Sequence, residues 1–92
     1  MQNIPMRNDS AEHDYEAGFG RIMWLSEQAR LHGWRLSERQ LIHEIVQRER
    51  AANIREKSSL PIIGSEVRSA AWNRGQADAL RNLLRIQRES YD

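Results

Sequence analysis

The sequence predicts an all-α protein, a three-helix bundle with helices over about 10–32, 38–57 and 65–89. Three observations carry that prediction. Apolar residues recur at helical spacing in each of these segments. No segment alternates apolar and polar residues with period two over a useful length. The connections are short and marked by glycine, proline or serine, which favours an up-down-up order.

The first helix is expected to start near Asp9 or Ser10, after a flexible tail of residues 1–8, so that residues 9–92 form one helical domain. Asp9 and Glu12 have capping-box spacing, and Glu12, Asp14 and Glu16 suit the positive end of the helix dipole. Its core face is Tyr15, Phe19, Ile22, Ser26 and Ala29. At about 100° per residue, Trp24 projects from the opposite side, in line with Ala17, Gly20 and Leu31. A helix that needs one apolar face therefore has two. Either the helix is sandwiched inside the bundle, or Ala17, Gly20, Trp24 and Leu31 form a docking patch, or Trp24 is a solvent-exposed residue of no consequence. Tryptophan is favoured at binding hot spots, and small neighbours let a partner helix come close. Gly33, as a left-handed C′ residue, and Trp34 after it predict a Schellman stop.

The second helix has the clearest start. Ser37 and Gln40 form S-x-x-Q, and Leu36 and Leu41 form a hydrophobic staple around it. Leu41, Ile42, Ile45 and Val46 are its expected core stripe. Residues 47–57 are charged nearly all round, so this half is expected to project past the core. Residues 58–64 form the break, where Leu60, Ile62 and Ile63 either cap the open end of the bundle or dock a partner. The third helix is expected to start at Ser65 as N-cap. Trp72, Ala79, Leu80, Leu83, Leu84 and Ile86 spread over a wide arc, which predicts packing on two neighbours. Arg74, Asp78, Arg81 and Arg85 line its polar remainder, with Arg74 and Asp78 spaced for an i,i+4 pair.

Composition bounds the function. Ninety-two residues allow one thin core. The absence of cysteine removes disulfides, cysteine-based zinc sites and thiol nucleophiles. No secretory h-region or membrane-length apolar run is present, so a cytoplasmic location is expected. The 14 basic and 13 acidic residues leave a net charge of +1, too little for general attraction to nucleic acid. All the basic residues except Lys57 are arginine, a residue suited to bidentate contacts with carboxylates and phosphates.

Catalytic patterns are missing. His43-Glu44 opens like a zinc-protease motif, but Gln47 stands where the second histidine belongs. His13 with Asp9, Glu12 and Glu16 lacks facing carboxylates for a metal pair. There is no glycine-rich phosphate loop, nucleophile elbow or paired-acid pattern. A non-enzyme without cofactor or metal is expected. Leu36-Ser-Glu-Arg-Gln-Leu-Ile42 opens like a helix-turn-helix, but the short turn and recognition helix do not follow.

Residues 64–84, with Ala71-Trp72-Asn-Arg-Gly75 and Ala79-Leu80, resemble the closing helix of small phage and prophage accessory proteins. That resemblance implies a virion accessory or an inhibitor of a host or defence protein, anti-CRISPR proteins included. Tyr15-Glu-Ala-Gly18 and Arg68-Ser-Ala-Ala-Trp72-Asn-Arg-Gly75 also resemble the paired glycine-containing helices of the ribosome modulation factor family, with a much longer spacer and without its basicity. No site residue is carried over from either.

The function expected is a protein–protein interaction module, encoded by a phage or mobile element and acting as a homodimeric inhibitor that occludes a host or defence protein. Trp24 is the expected anchor, supported by Ala17, Gly20 and Leu31. Arg48, Arg50 and Arg55, or Arg74, Arg81 and Arg85, are the expected charged rim. Two other readings are a nucleic-acid-binding accessory protein using the arginine-rich faces and a small virion structural component.

Overall fold

The computed structural model describes residues 6–57 and 69–89, with side chains from residue 11 onward. They form three helices: α1 (Met6–Leu31), α2 (Glu38–Lys57) and α3 (Ala70–Glu89). There is no strand among the described residues. The chain is an all-α three-helix bundle in which α3 packs against both α1 and α2, as its wide apolar arc predicts. The backbones of α1 and α2 make no close approach to each other.

Local sequence sets the ends. Helix α1 begins at Met6, inside the expected tail; residues 1–5 lie outside the described residues. It stops in a Schellman motif. Gly33 takes φ 78°, the Trp34 N–H donates to the Ala29 carbonyl at 2.9 Å, and the Gly33 N–H donates to the Arg30 carbonyl at 3.1 Å. The capping box of α2 is present in both directions. The Gln40 N–H donates to Ser37 Oγ at 3.2 Å, and the Ser37 N–H donates to Gln40 Oε1 at 2.9 Å. Helix α3 starts later than expected. Ser69 is its N-cap, accepting from the Trp72 N–H at 3.1 Å. Ser65 and the apolar stretch Leu60, Ile62 and Ile63 lie outside the described residues.

The directions follow from the contacts. Arg88 near the end of α3 pairs with Glu38 at the start of α2, while Arg74 near the start of α3 pairs with Glu56 near the end of α2. Those two helices are therefore antiparallel. Residues 32–37 are too few to carry the chain far, so α1 ends near the same end of α3 and runs parallel to it. Ile22 accordingly joins Ala79, Leu80 and Leu84, with Leu41 and Ile45 from α2, in one buried cluster flanked by Phe19, Met23 and Leu83.

Helices α1 and α3 meet at two glycines. A Cβ on Gly18 would strike the Trp72 carbonyl, and a Cβ on Gly75 would strike the Tyr15 carbonyl. Both fall well inside the 3.0 Å that real Cβ atoms respect. The backbones lie closer there than any side chain allows. Above this crossing Tyr15 stacks on Phe19 with ring centroids 6.4 Å apart, and its hydroxyl donates to the Asp78 carboxylate.

Two expectations about α2 are corrected. Its charged half is not an overhang, because Ala52 is fully buried and Arg74 bridges to Glu56 at 2.9 Å. A small residue admits α3 closely, and carboxylates at the rim pair with arginines across the interface. The core stripe is also narrower than expected. Leu41 and Ile45 are buried, whereas Ile42 and Val46 are each 42% exposed. They project to one side of the line that α3 covers.

Candidate docking surface

The outward line of α1 is open. Trp24 is 54% exposed and Leu31 63% exposed, with Ala17 and Gly20 exposed before them on the same line. A Cβ built on Gly20 meets nothing within 4 Å, in contrast to Gly18 two residues earlier. The face Tyr15, Phe19, Ile22, Ser26 and Ala29 turns inward and is buried or half-buried. Of the three readings of Trp24, the internal one does not hold within this chain. Arg21, which sequence reasoning left aside, holds its guanidinium carbon 5.4 Å from the centre of the Trp24 ring. That cation–π contact steadies the indole and keeps a positive charge beside it.

The expected rim arginines lie on α2 and α3, away from that line, and most have partners inside the chain. Arg48 is half-buried, pairs with Glu44 and donates from Nε to the Oε1 of buried Gln76 at 3.1 Å. Arg74 pairs with Glu56 and not with Asp78 as the i,i+4 spacing suggests, because the antiparallel α2 brings Glu56 to it. Arg81 pairs with Glu49 across the interface and with Asp78 at 2.8 Å. Arg85 pairs with Glu89 at 3.2 Å and also reaches Asn82. Arg55 is half-buried and has an interaction as well. Arg50 is exposed and in no ion pair among the described residues.

Sequence reasoning also missed further exposed apolar residues on α2, namely Ile42 and Val46 one turn apart and Ile54 about 120° round the helix from Ile42. The expected core stripe includes Ile42 and Val46 with their buried neighbours.

Electrostatic perturbations in the described residues come from pairs rather than from a reactive centre. The Tyr15 phenol is held above its ordinary value near 10, first by its hydrogen bond to Asp78 and then by burial. Glu38 is lowered by its hydrogen bonds from Arg88, and Glu27 by those from Arg30. Among the described residues no group of three or more His, Cys, Asp or Glu side chains is placed to hold a metal ion. No helix of the described residues is long and apolar enough to cross a membrane. No protein-family model, curated protein or solved structure matches this chain.

Proposed function

We propose that this chain is a non-enzymatic protein-docking module that pairs through the outward face of α1, as a homodimer that also engages another protein. The observation that carries the reading is the exposure of Trp24 and Leu31 on one helix line with Gly20 open beside them. A large aromatic next to a glycine offers both a knob and a hole, and burying it on association supplies most of the driving force. The likeness of the closing helix to phage and prophage accessory proteins supports the narrower version, an inhibitor that occludes a host or defence protein, such as a CRISPR component, in the host cytoplasm. The nucleic-acid reading is weaker, because Arg74, Arg81 and Arg85 each sit with a carboxylate that cancels their field at a distance.

Light scattering on size-separated protein tests the reading. Wild type is expected as a dimer and Trp24→Ala as a monomer of unchanged helicity. A wild type that stays monomeric at high concentration removes the homodimer. A Trp24→Ala variant as dimeric as wild type removes Trp24 as its anchor.

A further inference from the structure

A second surface lies on α2 and α3, separate from the Trp24 line. Ile42, Ile45 and Val46 face Leu84 across a shallow groove of about 490 Å³, rimmed on α3 by Arg81, Arg85 and Arg88. It continues along α2 as a second hollow of about 310 Å³ beside Val46, Ile54, Arg50 and Lys57. From Ile42 to Lys57 the strip runs about 22 Å at 1.5 Å per residue, the length of four helical turns.

Charge decides what fits. The linings of the two hollows carry five cations (Arg50, Lys57, Arg81, Arg85, Arg88) against two anions, Glu49 and Glu89. Counting the outside partners of these cations, Glu38 for Arg88 and Asp78 for Arg81, leaves a surplus of one positive charge. Neither Arg50 nor Lys57 is in an ion pair among the described residues. The half-exposed Ile42 and Val46, one turn apart, supply an apolar strip beside these charges, and Ile54, 64% exposed, lies farther round α2 on the side away from α3.

We infer that this groove binds an acidic amphipathic helix of a partner protein. The helix lays its apolar stripe on Ile42 and Val46 and sets carboxylates against Arg50 and Lys57 on the rim away from α3. The unpaired cations supply the preference for acid, and the apolar strip supplies the register. The inference does not depend on whether the Trp24 face pairs two copies.

The test titrates the full chain, labelled for NMR, with a synthetic 18-residue helical peptide carrying leucine on one face and glutamate on both flanks. A lysine-flanked peptide of the same pattern is the control. Saturable shifts at the amides of Ile42 and Val46 are expected with the acidic peptide only, weakening as salt rises. The double variant Arg50→Glu/Lys57→Glu breaks no ion pair among the described residues and is expected to weaken the acidic peptide about tenfold or more. Val46→Glu is an independent second variant that blocks the floor, and circular dichroism checks the fold of both. Equal binding of the two peptides overturns the inference, and so do shifts centred on Trp24. Loss of self-association in the groove variants also overturns it, by assigning the groove to a second copy of this chain.

Discussion

Three glycines of similar sequence context are expected to respond to alanine with opposite signs. Alanine is better than glycine in a helix interior by about 0.8–1 kcal/mol. At Gly20 nothing opposes that gain, since the added Cβ meets no atom within 4 Å. Gly20→Ala should therefore stabilise the fold by about 0.5–1 kcal/mol. At Gly18 and Gly75 the added Cβ meets backbone: the Trp72 carbonyl in one case, the Tyr15 carbonyl and Phe19 nitrogen in the other. A carbonyl cannot swing aside as a side-chain tip does, so α1 and α3 must separate along their whole contact. Overpacking costs about 1–3 kcal/mol, and a backbone obstacle belongs at the top of that range. Subtracting the propensity gain leaves a net loss of about 2 kcal/mol for either variant. In a chain of this size that lowers Tm by about 8–16 °C. The assay is urea unfolding followed by far-UV circular dichroism, at a protein concentration below any self-association. If Gly18→Ala and Gly75→Ala stabilise the protein as Gly20→Ala does, the close crossing of α1 and α3 is wrong.

Other outcomes follow from single contacts. Ser37→Ala removes the acceptor for the Gln40 N–H and should cost about 1 kcal/mol in the same unfolding assay, with Ser37→Asp retaining most of the stability. Tyr15→Phe removes the hydrogen bond to Asp78, which keeps Arg81, so a loss of about 1 kcal/mol is expected. Because the folded Tyr15 phenol lies above its unfolded value near 10, the stability linked to its proton is complete below pH 10. It is lost as pH rises through the higher folded value. Ultraviolet titration should show one late-ionising phenol in wild type that is absent in Tyr15→Phe.

Much of the fold was legible because it is written in local chemistry. Ser37 with Gln40, and Gly33 followed by Trp34, act within one or two turns, so their spacing alone specified how α2 starts and how α1 stops. The wide apolar arc of α3 likewise required two neighbours. The start of α3 was misplaced because Ser65 and Ser69 are both competent caps, and local sequence does not choose between them. The outward line of Trp24 was legible as geometry, since residue angles on a helix follow from counting.

By itself, the sequence determined three helices, two of their ends and the two-faced character of α1. Only the tertiary structure decided which partners each face meets. Gly18 and Gly20 look equivalent in the chain, yet one lies against the Trp72 carbonyl and the other against open space. The arginines of α3 looked available, and the antiparallel run of α2 brings Glu56, Glu49 and Glu38 to Arg74, Arg81 and Arg88. Helical periodicity fixes where a side chain points relative to its own axis. What stands at that place depends on how the axes cross, and here two glycines, through the backbone approach they permit, set the crossing of α1 and α3.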